Sequence, residues 1–197
     1  MRLVMRSTPF SFAGRGFSLI ELMITIAVAS ILMLVAVPSF SSWVQNARIR
    51  STAEALQNGI RLAKTEAVRR SRLVDFRLTS VTPVKDAATS KSGSNWYVQQ
   101  NDTFQLATDA SDKNYNLFVQ GSSLSGANAN VTVAGDVDTL TFTSLGRLNN
   151  TGASPYKFDI TGASSASRNL RVIVTQSGQI RMCDPQLTLS STTPTGC

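Results

Sequence analysis

Glu21 places a carboxylate inside an almost wholly apolar run, from Leu19 to Val37. A charged side chain in a membrane-spanning helix costs about 2.5–3.5 kcal/mol or more, so it normally has a partner. Near a helix N-terminus a carboxylate gains from the helix dipole. A free α-amino group on Phe17 would be a better partner, but only if the chain were cut after Gly16. Taken alone, the pattern fits equally well a carboxylate that reaches out to the membrane interface.

Two cysteines, Cys183 and Cys197, lie at the C-terminal end of the chain. In an exported protein such a pair is most simply one disulfide, and two free thiols are the alternative. The bridge would close a loop of about 15 residues and stabilise the fold by roughly 3 kcal/mol. The pair lacks the Cys-x-x-Cys spacing of a reactive dithiol.

The chain has no histidine, which excludes Ser-His and Cys-His dyads and any histidine-ligated metal. No glycine-rich phosphate loop precedes a lysine. Asp136 and Asp138 lie two residues apart and could ligate calcium, although such pairs are more often exposed strand positions. The sequence therefore predicts a protein that is not an enzyme and that binds no cofactor or metal.

The apolar run has the length of a membrane span, because about 20 helical residues cover the roughly 30 Å hydrocarbon core. Arg2, Arg6 and Arg15 precede the run and should stay in the cytoplasm. A cleaved secretory signal peptide is the alternative. However, no small-x-small site follows the run, and helix-compatible sequence continues past Pro38.

The string Gly14-Arg15-Gly16-Phe17-Ser18-Leu19-Ile20-Glu21-Leu22-Met23 resembles the class III signal of type IV prepilins and type II secretion pseudopilins. This resemblance implies that residues 1–16 are a leader, which a prepilin peptidase removes after Gly16 before methylating the amine of Phe17. It also implies that Glu21 pairs with the Phe17 amine of a neighbouring subunit during assembly. The implied partners are other pilin or pseudopilin subunits, the peptidase and the inner membrane. The chain would cross that membrane once, with its head in the periplasm, before joining a pilus or pseudopilus.

A long helix is predicted from about Phe17 to about Arg70. It comprises a transmembrane and assembly part, 17–38, and an amphipathic part, 39–72. Pro38 should bend or locally melt the helix, as the family resemblance also implies. One apolar stripe at alternating spacings of three and four should face a sheet: Ala53, Leu56, Ile60, Ala63 and Ala67. The cations Arg69, Arg70 and Arg72 suit a solvated helix C-terminus, and contact with membrane phosphates, a partner or nucleic acid is the alternative.

Residues 73–197 are predicted to form a β-rich head, because the pattern changes there to short alternations typical of half-buried antiparallel strands. Strands are expected at 74–78, 96–99, 140–143, 156–160, 170–174 and 180–182, with a hairpin turn at 176–179. Loops are expected at 86–95, 108–114, 121–130 and 149–154. The predicted fold class is α+β, the type IV pilin fold, with one long helix packed on an antiparallel sheet.

The head carries a second, narrower resemblance, in the segment Thr143-Ser144-Leu145-Gly146-Arg147, the hairpin around Gly178 and the terminal cysteines. Together they resemble the family of type II secretion pseudopilin H and type IV fimbrial biogenesis protein T. Members are minor, tip-associated subunits, so the resemblance implies a subunit that initiates or caps the filament.

DNA binding at a pilus tip is the alternative function. Some fimbrial T-type pilins bind DNA through a Gly-Arg-x-Arg motif near the C-terminal hairpin, and this chain has Gly178-Gln179-Ile180-Arg181, with one of the two arginines. Arg181, joined by Arg147 and Arg171, is the candidate contact, and Arg168 would add to the patch. Binding to phosphate depends mainly on the number of cations. The alternative for Arg181 is a hairpin surface residue or one that locks the tail.

Overall fold

The structure is a computed structural model that describes residues 16–101, 117–124, 130–152, 154–163 and 167–197, with only the backbone at 35–39. Leader residues 1–15, the predicted loop 108–114 and part of the predicted loop 121–130 lie outside the described residues. The chain forms two compact units, Met1–Ser41 and Ser42–Cys197.

Helix α1 spans Leu19–Arg70 and confirms the predicted long helix. Ser18 caps its first turn, because the Ser18 Oγ accepts a hydrogen bond from the backbone N–H of Glu21 at 3.2 Å. Such a cap satisfies one of the N–H groups that have no partner within a helix. The helical backbone runs through Pro38 without a break, so the proline does not melt the helix.

The C-terminal end of α1 is closed by a Schellman motif at Ser71, which adopts a φ of 53°. The N–H of Ser71 donates to the carbonyl of Val68 and the N–H of Arg72 donates to the carbonyl of Ala67. These bonds satisfy carbonyl groups that the helix leaves unpaired. The helix therefore ends at the predicted residue, although a serine rather than a glycine takes the left-handed conformation.

Glu66 binds two of the three arginines near this helix end. Its carboxylate accepts hydrogen bonds from Arg69 at 2.6 and 2.9 Å and from Arg70 at 2.8 Å. The hydrogen bond from Arg69 is the main reason that the pKa of Glu66 is lowered, against the opposing effect of burial. Arg69 and Arg70 are thus already paired, whereas Arg72 is exposed at the surface.

We expect Glu66→Gln to lower the free energy of unfolding by about 1 kcal/mol at pH 7. Because the folded-state pKa of Glu66 lies below its unfolded value, its contribution exists above the unfolded pKa and is lost as pH falls through the folded pKa. The difference from the parent chain should therefore shrink as pH falls below the unfolded pKa and vanish once pH lies below the folded pKa. Urea denaturation in mild detergent, monitored by the fluorescence of the buried Trp96, measures the free energy of unfolding at pH 7 and at acidic pH.

Glu54→Gln is the matched control, since Glu54 pairs with Arg50 at the same i,i+4 spacing but both side chains are largely exposed. That substitution should change stability by less than about 0.5 kcal/mol. An equal loss for Glu66→Gln at both pH values would show that the paired carboxylate is not the cause.

Within the described residues, eight strands form two antiparallel four-stranded sheets, where one sheet was predicted. The strand order is β3-β2-β1-β5 in the first sheet and β4-β6-β7-β8 in the second. The strands are β1 (Val74–Thr79), β2 (Asn95–Gln100), β3 (Phe118–Ser123), β4 (Val131–Gly135), β5 (Thr139–Phe142), β6 (Tyr156–Gly162), β7 (Leu170–Val174) and β8 (Ile180–Cys183).

Six of these strands match the predicted ones, whereas β3 and β4 were not predicted. Strand β3 ends in Gly121-Ser122-Ser123, a composition typical of loops, so the predicted loop 121–130 is wrong at its first three residues. Gly121 is required in β3 because an added Cβ would lie 2.7 Å from the ring of Pro83. Strand β3 exists because it pairs with β2, and that pairing is a long-range contact.

The second half of α1 packs on a core to which both sheets contribute. Phe76 of β1 meets Phe158 of β6 edge to face, with ring centroids 6.2 Å apart. Gly59 allows the helix to approach Trp96 of β2, since an added Cβ would lie 2.8 Å from the indole ring. The predicted stripe is confirmed as fully buried, with one more residue at its start: Ile49, Ala53, Leu56, Ile60, Ala63 and Ala67.

The outer face of the first sheet is covered by the segment that follows β1. The Tyr97 hydroxyl donates to the carbonyl of Ala87 at 2.6 Å, and Gln99 exchanges hydrogen bonds with Asp86. Strand β2 is consequently buried on both faces up to Gln99, and the prediction of a half-buried strand is wrong there. The alternation in the sequence does not reveal a covering loop from elsewhere in the chain.

Asp75 lies under this cover with only 1% of its side chain exposed, and it organises a buried polar cluster. Its carboxylate accepts hydrogen bonds from Arg77 at 2.7 Å, Thr141 at 2.8 Å and Asn101 at 3.1 Å. Burial opposes the charge of Arg77, but hydrogen bonds to Asp75 and Tyr97 outweigh it, and the pKa of Arg77 is raised. The cluster joins β1 to β5 and to the end of β2.

We expect Asp75→Ala to lower the free energy of unfolding by about 3 kcal/mol, because it leaves the charge of Arg77 without its main partner in a mostly buried site. The double variant Asp75→Ala/Arg77→Met should recover part of that loss, since it removes the buried charge as well. Urea denaturation of both variants tests this. A double variant less stable than Asp75→Ala would contradict the unpaired-charge explanation.

One set of hydrogen bonds joins the two sheets to α1. The N–H of Leu148 donates to the carbonyl of Gln176 at 3.1 Å, and the Gln176 amide returns a bond to the carbonyl of Leu148 at 2.9 Å. The Lys64 amine of the helix donates to the carbonyl of Gly178 at 2.9 Å. The turn after β5 and the β7–β8 hairpin, both singled out in the sequence, therefore meet at one point on the helix.

Candidate functional site

The predicted processing and assembly residues lie together at the start of α1. Gly16 and Phe17 precede the helix and are exposed, with Phe17 77% accessible. Glu21 lies in the first turn of the helix, where Ser18 caps the chain. Glu21 is exposed and forms no ion pair with any other described residue.

The apolar side chains that follow are exposed along the helix from Leu19 to Leu34. Within the described part of the chain, no helix combines the length and the apolar character needed to cross a membrane.

The two cysteines are joined, which confirms the predicted disulfide between Cys183 and Cys197, whose Cα atoms lie 5.2 Å apart. The tail is further held by Asp184, whose carboxylate binds Arg168 at 2.6 Å and the backbone N–H of Gln186 at 2.9 Å. The backbone N–H of Cys197 donates to the carbonyl of Asp184. The bridge therefore closes a loop that folds back on the end of β8.

A groove of about 710 Å³ lies between the outer face of the second sheet and this tail; we call it the C-terminal groove. Its basic residues come from three neighbouring strands: Lys157 of β6, Arg171 of β7 and Arg181 of β8. Its apolar residues include Ile173 on the sheet and, from the tail, Pro185, Leu187 and Leu189.

The sheet register places Lys157, Ile173 and Arg181 in one row, since Ile173 is directly opposite Lys157 on one side and Arg181 on the other. The two cations are therefore about 10 Å apart at the backbone, twice the spacing between strands. Neither forms an ion pair within the described residues. Asp136 and Asp138, for which calcium binding was the less favoured alternative, accept hydrogen bonds from the Lys157 N–H and the Thr89 hydroxyl. Among the described residues no cluster has enough acidic or cysteine ligands to hold a metal.

Arg171 is paired across the sheet with Asp159. Two hydrogen bonds, at 2.6 and 3.0 Å, join the guanidinium to the carboxylate, and the first cause of the raised pKa of Arg171 is this bonding. Of the predicted DNA contacts, the structure thus brings Arg171 and Arg181 into one groove but neutralises Arg171.

The other two arginines of the predicted patch lie elsewhere. Arg147 is exposed on the turn after β5 and does not line the groove, and Arg168 is engaged by Asp184. The sequence reasoning missed Lys157. Its position between the buried residues Tyr156 and Phe158 was a usable signal, because alternation places it on the outer face.

Comparison with known proteins gives two matches to protein families. A prokaryotic N-terminal methylation motif matches residues 13–37. The family described as type II transport protein GspH matches residues 52–178, well over half of the chain. The chain belongs to the GspH family. Its members are pseudopilins and minor pilins, so this chain is a structural subunit and not an enzyme.

The fold of this GspH-family chain is that of a solved minor pilin. The crystal structure of the type IV minor pilin FimU from Pseudomonas aeruginosa covers 79% of this chain and 98% of its own, with 21% sequence identity and a TM-score of 0.51. At this identity the likeness shows a shared fold, which confirms the predicted α+β pilin fold.

Two type II secretion proteins are also similar in structure. The minor pseudopilin EpsH of Vibrio cholerae is 15% identical, covers 71% of this chain and 99% of its own, and has a TM-score of 0.46. GspH of E. coli is 13% identical, covers 74% and 94%, and has a TM-score of 0.42. No curated protein sequence matches the chain significantly.

Proposed function

We propose that this GspH-family protein is inserted into the inner membrane as a prepilin, cut after Gly16 and methylated at Phe17. It then joins a type II secretion pseudopilus or a type IV pilus as a minor subunit that primes or caps the filament. Its partners are the prepilin peptidase and the other subunits, and its head faces the periplasm before assembly.

The methylation motif over residues 13–37, placed directly before a capped helix, carries this proposal. A cut after Gly16 would create a positive amine on Phe17, one turn from the Glu21 carboxylate. Both residues are exposed, which suits a charge pair formed with a neighbouring subunit. The exposed apolar side chains from Leu19 to Leu34 supply the surface that lipid or neighbouring helices would cover.

The intact mass of the protein from a membrane fraction, with and without a co-expressed prepilin peptidase, tests the processing step. With the peptidase we expect loss of residues 1–16, the mass of one added methyl group, and two hydrogens fewer for the disulfide. A chain that stays uncut beside an active peptidase would overturn the proposal.

Gly16→Val is the matched control for this measurement. An added Cβ at Gly16 meets no atom within 4 Å, so the substitution should leave the fold intact. The leader should nevertheless stay on the chain, because the peptidase must recognise the residue directly before the cut and valine now occupies that position.

A further inference from the structure

The C-terminal groove presents cationic and apolar groups side by side on one face of the second sheet. Lys157 and Arg181 flank Ile173 in a single row across β6, β7 and β8. Neither cation has an ion-pair partner in the described part of the chain. Long side chains at these positions can turn their charged ends toward each other over Ile173. The row therefore offers two charges with an apolar side chain between them.

The charge of the groove is too small for a duplex polyanion. Asp159 neutralises Arg171 through two hydrogen bonds, which leaves two unpaired cations among the described lining residues. Proteins that hold duplex DNA through its backbone neutralise many phosphates, and their affinity follows that number. The tail contributes Pro185, Leu187 and Leu189, which are apolar, and Leu189 is exposed.

We propose that the C-terminal groove binds a short extended segment of a partner protein in which carboxylates alternate with apolar side chains. In an extended chain, residues two apart lie on one face about 6.6–6.8 Å from each other, within reach of the Lys157 and Arg181 ends. Two carboxylates at that spacing pair with the two cations. The apolar residues of the segment contact the tail, as expected for peptide recognition in side-chain pockets.

This interaction requires neither the cut after Gly16 nor filament assembly. Its failure is therefore distinguishable from failure of the proposed function, which the mass measurement decides by itself.

The test uses the full chain in a non-ionic detergent and fluorescence anisotropy of labelled, capped probes. The first probe is a peptide of Glu-Leu repeats, the second its Gln-Leu counterpart, and the third a short DNA duplex, with empty micelles as the blank. We expect the Glu-Leu peptide to bind about ten-fold more tightly than the Gln-Leu peptide, and its affinity to fall as salt rises.

Substitutions in the groove assign the site. Lys157→Gln and Arg181→Gln should each weaken binding of the Glu-Leu peptide about ten-fold, since each removes one charge pair. Arg61→Gln is the matched control, because Arg61 is an exposed cation on α1 away from the groove, and it should leave the affinity unchanged.

Three outcomes would overturn the proposal. The first is no binding of the Glu-Leu peptide, or equal binding of both peptides. The second is an affinity that the groove substitutions do not change. The third is DNA binding that Lys157→Gln and Arg181→Gln abolish while peptide binding stays, which would make the groove a nucleic-acid site.

Discussion

Glu21→Gln is expected to be processed normally and yet to be missing from assembled filaments. Glutamine keeps the size and hydrogen-bonding shape of the side chain but removes the charge that would meet the Phe17 amine of a neighbour. Removing one partner of a buried charge pair typically costs about 3–5 kcal/mol, because the other charge stays buried and unpaired. Incorporation should therefore fall by about 100-fold or more.

The measurement compares sheared filaments with the membrane fraction, using antibodies against the head. Glu54→Gln serves as control, because Glu54 is an exposed carboxylate on the same helix and pairs only with Arg50 among the described residues. The control should appear in filaments at the parental level. Equal incorporation of Glu21→Gln and the parent chain would show that the Glu21 charge has no part in assembly.

Gly178→Ala is expected to destabilise the head by about 3 kcal/mol. Gly178 has a φ of 78°, a conformation that costs an L-residue with a Cβ about 1–2 kcal/mol. An added Cβ would also overlap the backbone carbonyl oxygen of Gly146. The hydrogen bonds between Leu148 and Gln176 hold the backbone near this point, so shifting it away from the added Cβ would cost free energy.

Gly146→Ala separates the cost of the left-handed conformation from the cost of the overlap. Gly146 has a similar φ of 71°, but there an added Cβ would meet the Cε of Lys64, near the end of a flexible side chain, at 3.0 Å. This variant should lose only about 1–2 kcal/mol. Urea denaturation monitored by Trp96 fluorescence compares the two, and equal losses would show that the overlap with Gly146 contributes nothing.

These two glycines also give a physical reason for the motifs that carry the narrower resemblance. The Thr143–Arg147 turn and the hairpin at Gly178 are far apart in sequence, but they touch in the structure, with Lys64 of the helix bonded beside them. The contact joins the first sheet, the second sheet and α1. The turn and the hairpin of the resemblance therefore mark a structural junction of the head.

Much of the structure could be predicted from the sequence by itself, because the relevant signals are local. A long helix with Glu21 in its first turn, an apolar stripe every three or four residues and two terminal cysteines are readable from spacing alone, whereas the Ser18 cap was not predicted. Six strands were likewise predicted from alternation over a few residues. The absence of histidine, a matter of composition, excluded the commonest catalytic dyads.

The tertiary structure decided which residues meet. The short turn at 176–179 sets the register of β7 and β8, but residues 163–169 leave the register of β6 and β7 open, so the row of Lys157, Ile173 and Arg181 was not predictable. The same register places Arg171 opposite Asp159, and this ion pair neutralises one of the cations of the groove. Strand pairing and loop cover depend on contacts between distant segments, and no local pattern encodes which segments those are.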